Sequence, residues 1–404
     1  MIKYFKLILL VAFFYFPAGI SARDINLDEI YIKKNSSLAK KLAAEKLEVY
    51  NKAGAVFVDR NVVFSGWISG DEIIYIKEAG SGNTNYVYKY KPRDRKAVEI
   101  CRLHGLITIA RVSPNGRFLV LKRLIRNAGI IPKGELIIIN ISSAEVKIQS
   151  SAYAFLDFNI TDEGNSIIFE KYGGIIEYFF DTEIQSELLL KKKYNEISGN
   201  NNPSIAYLSP DRQKILVLNG SGGSYKAKLI YFNKNESSLF KTISSASELF
   251  WLNNISFVYR SGYAGNYSVN IYNIKENKKT ILLKQSLNTN INYSVHSGKV
   301  AFLKEQLICF YNMPGNKVVN TGLEGEDISF APNDRFVSLF LKKLFIVSSN
   351  SLEKKHIELK RSWGLIHQMY IDLLEKKDEL ENEYSRNYIE RKIRVYKELI
   401  DYNF

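Results

Sequence analysis

Two cysteines, Cys101 and Cys309, and four histidines, His104, His296, His356 and His367, are scattered through 404 residues. Neither set has ligand spacing. No Cys-x-x-Cys or His-Glu-x-x-His occurs, so neither a structural zinc site nor a zinc-hydrolase site is expected. A Walker loop is absent. Proline numbers eight and methionine and tryptophan three each. Two cysteines cannot make a disulfide framework. They sit in separate apolar settings, Glu99-Ile100-Cys101 and Leu307-Ile308-Cys309-Phe310, and two lone thiols are expected. No cofactor, metal site or catalytic residue is assigned. The nearest thing to a nucleophile turn is Gly222-Gly223-Ser224-Tyr225. Such a turn needs glycine two residues after the serine, where backbone passes close, and Lys226 stands there instead.

Tyrosine (26) and phenylalanine (23) are plentiful, and aromatic and β-branched residues favour strands. The chain opens like an export signal. Lys3 and Lys6 precede the apolar run from Leu7 to Phe16, Pro17 breaks it, and Ile20-Ser21-Ala22 offers a cleavage site. The run is shorter than the roughly 20 residues that a spanning helix needs, although an uncleaved anchor is the competing reading. No cysteine follows it, which argues against a lipoprotein. The expectation is a Sec-type signal peptide over 1–22, a mature start near Arg23, and a periplasmic or secreted protein.

Export changes the meaning of a formal net charge of +14. Nucleic acid is then not the natural partner. Anionic lipid head groups, acidic glycans or an acidic protein fit better, alongside a solvated basic surface with no partner at all.

The body repeats. The unit is clearest over Ser245–Leu283, where four β-type runs in about forty residues are separated by Asn, Gly and Ser turns, the size of one propeller blade. Its mark is the turn between the first two runs. The turn recurs as Ser69-Gly70-Asp71, Ser113-Pro114-Asn115-Gly116, Thr161-Asp162-Glu163-Gly164, Ser209-Pro210-Asp211-Arg212, Asn253-Asn254, His296-Ser297-Gly298 and Ala331-Pro332-Asn333-Asp334. Proline in second place pre-sets φ, Asn, Asp or Gly tolerates the tight geometry, and the first hydroxyl can cap the turn. A lone four-stranded sheet cannot bury both faces, whereas neighbours stacked about an axis can.

These turns and the apolar strands after them resemble the WD40-like repeats of the TolB family of propellers over roughly residues 60–360. The pattern is degenerate, because no unit has the full Ser-Pro-Asp-Gly, and residues 23–60 are too short for that family's N-terminal α/β domain. The resemblance implies an all-β, seven-bladed β-propeller and a place in a cell-envelope complex.

Two helical segments flank the repeats. Ser36–Lys52 carries Leu38, Leu42, Ala43, Leu47 and Tyr50 on one stripe, expected either to pack on the main domain or to dock a partner. After Lys360 a tail runs to the end, with Leu365, Met369, Leu373, Leu380, Tyr384 and Tyr388 and then Ile389, Ile393, Tyr396 and Ile400 at helical spacing. It reads as one helix or as two broken near Ser385, packed on the propeller or paired with a second copy. The expected layout is a signal over 1–22, an N-terminal extension over 23–60, a propeller over 61–360 and a helical tail over 361–404. Glycine-bearing connections at Gly80–Asn83, Gly220–Gly223 and Ser261–Gly265 should line one face as a binding surface. The expected function is non-enzymatic protein binding or scaffolding in a bacterial envelope. The alternatives are an enzyme with its site in the central funnel and a surface adhesin for acidic glycans.

Overall fold

A computed structural model describes residues 37–402 apart from short internal segments, the longest being 193–202. The export signal and the Ile30–Ile32 run lie outside the described residues. The chain is a β-propeller. Six antiparallel sheets each use four consecutive strands, over 62–104, 106–151, 158–189, 203–244, 246–286 and 291–324. A seventh is composite: three strands over 327–348 are completed by Val56–Arg60 from the start of the chain, paired to Lys343–Ser348. The sheets are called blades one to seven in that order. The inner strand of blade seven, Asp327–Phe330, lies against that of blade one, Val62–Ser69, and closes the ring.

Seven hydrophobic clusters fill the seven gaps between blades. Alternate residues of one strand serve opposite gaps, as strand geometry dictates. Phe118 and Val120 face blade three, while Leu119 and Leu121 face blade one. Ile74 and Ile76 face blade two, while Ile73 and Tyr75 face blade seven. Burial on both sides explains why the strands read as unbroken apolar runs.

Polar bonds tie the blades at one end. Ser113 Oγ accepts from Phe118 N at 2.9 Å and Gly116 N donates to Ser113 O at 2.8 Å, and Ser209 repeats both bonds with Lys214 N and Arg212 N. The third turn residue then reaches sideways: Asn115 Nδ2 donates to Glu163 O at 3.0 Å, and Asn333 Nδ2 to Gly70 O at 3.0 Å. Trp67 and Trp251 occupy equivalent inner-strand positions. Their indole N–H groups reach the preceding blade, at Ser329 O (3.0 Å) and Tyr207 O (2.9 Å).

Three helices, α1 (Ser37–Lys52), α2 (His356–Glu375) and α3 (Glu383–Tyr402), join the core between blades six and seven. They meet on Glu324, at the end of the outer strand of blade six and 3 % exposed. Lys392 Nζ of α3 donates to its Oε1 at 2.6 Å and the Tyr396 hydroxyl donates to the same oxygen. Lys46 Nζ of α1 lies 3.6 Å from Oε2, and the Tyr50 hydroxyl donates to the Glu324 carbonyl. From α2, Trp363 Nε1 donates to Gly322 O at 2.5 Å, with its ring stacked on Tyr396 at 4.8 Å. Burial by itself would raise the Glu324 carboxyl. Lys392, Lys46 and the two side-chain hydrogen bonds outweigh it and hold the carboxyl below the usual glutamate range. Burial and the adjacent carboxylate push the Tyr396 phenol well above its ordinary value.

Several expectations need correction. The strand Val56–Arg60, assigned to the N-terminal extension, belongs to the propeller, and the C-terminal helix begins at His356 rather than after Lys360. On α1, Ala43 and Leu47 are exposed; the buried face is Leu42, Val49 and Tyr50, turned so that Lys46 meets Glu324. The tail is two helices, and the break between them, from Glu375 to Glu383, falls just ahead of Ser385, which is fully buried inside α3. Leu365 faces outward at 48 % exposure.

Two predictions follow from this packing. Glu324→Gln leaves Lys392 buried without its counter-charge and should cost about 3–5 kcal/mol in denaturant unfolding, while Glu324→Gln with Lys392→Met should recover part of that loss. Because the folded carboxyl titrates low, its contribution is complete above the ordinary value of about 4.3 and fades as pH falls through the folded value, so Glu324→Gln should also flatten the acid limb of stability. An unchanged acid limb would remove Glu324 from that role. At Gly116 (φ +69°), an added Cβ would lie 1.9 Å from Ile68 O, whereas at Gly364, inside α2, nothing lies within 4 Å. Gly116→Ala should therefore lower the melting temperature, and Gly364→Ala should raise stability by about 0.5–1 kcal/mol through helix propensity.

Candidate functional site

Antiparallel strand order gives the ring two faces. The first-to-second and third-to-fourth strand connections leave by the turn face. The second-to-third connections and the crossings between blades leave by the loop face. All three glycine-bearing connections flagged in the sequence are second-to-third connections and share the loop face. Residues 80–83, 222–223 and 264–265 lie outside the described residues, but the flanking strands stay paired to Glu78 with Asn85, Ser221 with Ser224 and Tyr263 with Asn266. The last two connections are thus two residues long. Ser224 belongs to a strand within a β-hairpin, whereas a nucleophile elbow is a turn from strand to helix.

Blade five carries a polar constellation at this face. The register of its inner strand, Ala246–Asn253, shifts between Ser247 and Leu249, which sets Glu248 in a bulge at φ 47°. A non-glycine residue held there stores strain, and bulges commonly re-aim a side chain beside a functional site. Arg260 of the next strand, 9 % exposed, brings Nη1 to 3.1 Å from Glu248 Oε1 and sets its guanidinium 4.9 Å from the centre of the Tyr267 ring. On the other side of the sheet Asn270, fully buried, donates to Ser261 Oγ at 2.8 Å and Ser268 O at 3.2 Å, and among the described residues its Oδ1 has no donor. Inner strands of blades one, two and four shift register at the same place, between Val62 and Phe64, Ile107 and Ile109, and Pro203 and Ile205. Blade five alone among these four holds a carboxylate at the extra residue. An ion pair beside a tyrosine ring is equipped for polar recognition. Glu248 and Arg260 carry no motif, so sequence reasoning missed them. The visible signal was a charged residue in each of two otherwise apolar strand runs.

The histidines do not converge. His104 ends the outer strand of blade one, with Nδ1 3.3 Å from Thr84 Oγ1. His367 lies on α2, where burial and Lys397, against Asp401, hold its imidazole below the ordinary range. His356 opens α2, and His296 lies outside the described residues. Among the described residues, no three His, Cys, Asp or Glu side chains are grouped as metal ligands. None of the helices described is long and apolar enough to cross a membrane.

No family model matches the chain, and no curated protein matches its sequence. Solved structures do. An oligogalacturonate lyase in complex with manganese aligns at TM-score 0.52 and 11 % identity, over 75 % of this chain and 93 % of that one. The tricorn protease aligns at TM-score 0.50 and 12 % identity, over 83 % of this chain and 37 % of that one. TolB from Acinetobacter baumannii is also matched, as the turns led one to expect, at TM-score 0.37 and 18 % identity over 55 % of this chain and 53 % of that one; the fold assignment rests on the other two. At these identities the likeness is one of fold, and a fold carries many functions.

The two cysteines are not joined in a disulfide: Cys101 lies in blade one and Cys309 in blade six, with blade seven between them. Burial, then the charge of Glu99, raises the Cys101 thiol to about 11 from an ordinary 9.0. At pH 8 its thiolate fraction, and so its alkylation by iodoacetamide, should fall about 100-fold below that of a free thiol. Peptide mapping checks this, and Cys309, 3 % exposed, should label only after unfolding.

Proposed function

We propose that this propeller is an exported, non-enzymatic binding protein of a bacterial cell envelope, and that its loop face at blade five holds a protein partner. The observation carrying the reading is the strained Glu248 locked to Arg260 beside Tyr267. That constellation is rigid, polar and aromatic, and Tyr and Arg are the residue types that anchor protein interfaces. The helices support it by subtraction: the apolar faces of α1, α2 and α3 are spent on the propeller, so the tail is a structural part rather than a free docking arm. The likeness to the lyase extends to fold alone, and its activity is not carried over. A bacterial envelope is inferred from the signal-like opening over 1–22 and from the turns shared with TolB-type repeats.

A photo-reactive amino acid in place of Tyr267 tests the reading in the native cell. One discrete protein adduct is expected outside the cytoplasm, reduced at least tenfold by Arg260→Ala. The same probe in place of Ile148, exposed on the outer strand of blade two, should give none. Equal adducts from both positions, or recovery of the chain only in the cytoplasm, would overturn the proposal.

A further inference from the structure

The turn face is uneven in charge. At blades two, three and four its cations are neutralised across or within the blades: Arg117 with Asp181 at 2.9 Å, Lys147 with Glu183 at 2.7 Å, Arg212 with Glu177 at 2.6 Å and Lys214 with Asp211 at 2.5 Å. Blades one and five differ. The hairpin between the last two strands of blade one runs Lys91-Pro92-Arg93-Asp94-Arg95-Lys96. It is fixed by Asp94 N and Arg95 N donating to Lys91 O at 3.2 and 3.0 Å, with Arg95 at φ 51°. The matching hairpin of blade five carries Lys275, Lys278 and Lys279, with Glu276 N bonded to Asn273 Oδ1 at 3.1 Å and Asn277 at φ 51°. All seven cations are exposed, and none forms an ion pair with an acid among the described residues. Two acids, Asp94 and Glu276, stand among them.

Exposed aliphatic side chains accompany the charge. Val98, three residues beyond Arg95, is 49 % exposed. Ile255 in the first turn of blade five and Ile281, four residues beyond Asn277, are each 44 % exposed. Aliphatic residues among cations suit the boundary between head groups and acyl chains. Sugar rings and flexible acidic peptides are better met by aromatic platforms or concave grooves, and these are hairpin tips.

We propose that the turn face docks on an anionic phospholipid surface through the hairpins of blades one and five. Both hairpins leave the same face of one closed ring, so an extended flat partner can touch both at once. The head groups supply the counter-charge that the protein leaves out at these two blades. Docking leaves the loop face pointing away from the lipid. It stands independently of the loop-face partner, which a different set of residues would hold.

Vesicle sedimentation with the full chain tests this. Binding is expected to phosphatidylcholine vesicles containing phosphatidylglycerol, not to phosphatidylcholine alone, and should fall steeply as salt rises. Each cation near such a surface strengthens binding about fivefold, so Arg93→Gln with Lys96→Gln should weaken it about 25-fold. Arg117→Gln with Lys147→Gln removes the same net charge from neutralised positions and should change binding less than twofold. Ile255→Ser should weaken binding without altering the salt slope. Circular dichroism and melting curves confirm that each variant is folded. The proposal is overturned if neutral and anionic vesicles bind alike, if both charge pairs weaken binding equally, or if the chain takes up soluble polygalacturonate while leaving vesicles unbound.

Discussion

One buried carboxylate holds together the place where the two ends of the described chain converge. Glu324 sits at the gap between blades six and seven. It receives Lys46 and Tyr50 from the N-terminal helix and Lys392 and Tyr396 from the C-terminal one. The adjoining turn receives Trp363 from the helix between. A charge so deeply buried is tolerable because Lys392 and Tyr396 bond one carboxylate oxygen and Lys46 lies near the other. The same gap needs the helices for another reason. Its cluster extends beyond strand residues such as Leu323 and Phe345 to Leu359, Trp363, Ile389 and Leu399, so the helices complete a core that the other gaps complete with sheet alone.

The remainder of the ring follows from two repeated devices. Strands apolar on both faces fill seven gaps, and turn residues reach sideways to the next blade. The devices reinforce one another: Gly116 has no side chain because the Ile68 carbonyl occupies that space, and Asn115 beside it spans to blade three. A rigid ring of this kind offers two faces of different character. The turn face is ordered by short polar bonds and is basic at two blades. The loop face carries the bulged inner strands and the Glu248–Arg260 pair.

The fold was legible because propeller geometry writes itself into sequence. Ser113-Pro114-Asn115-Gly116 and Ser209-Pro210-Asp211 name their turns, and runs such as Leu119-Val120-Leu121 announce strands buried on both sides. Composite closure was not legible. Nothing within Val56–Arg60 says that its partner lies almost three hundred residues away, and the run was set outside the propeller for that reason. The rotation of α1 is not legible because helical periodicity rewards apolar residues, and Lys46 falls outside the apolar stripe although it stands one turn from both Leu42 and Tyr50. Lys392 carried the same signal, a lysine inside the stripe of Tyr388, Ile389, Val395 and Tyr396. The polar constellation of blade five depends on a bulge, and register has no mark in a single sequence.

The composite blade also has a consequence in time. A ribosome adding about 5–20 residues per second needs about 15–60 s to travel from Val56 to the strand that pairs with it. Throughout that interval the early strand is an open edge available to any other extended chain. A nascent molecule of this design therefore depends on being held apart from its siblings until its last third emerges, and its yield should be limited by crowding during synthesis more than by the stability of the finished ring.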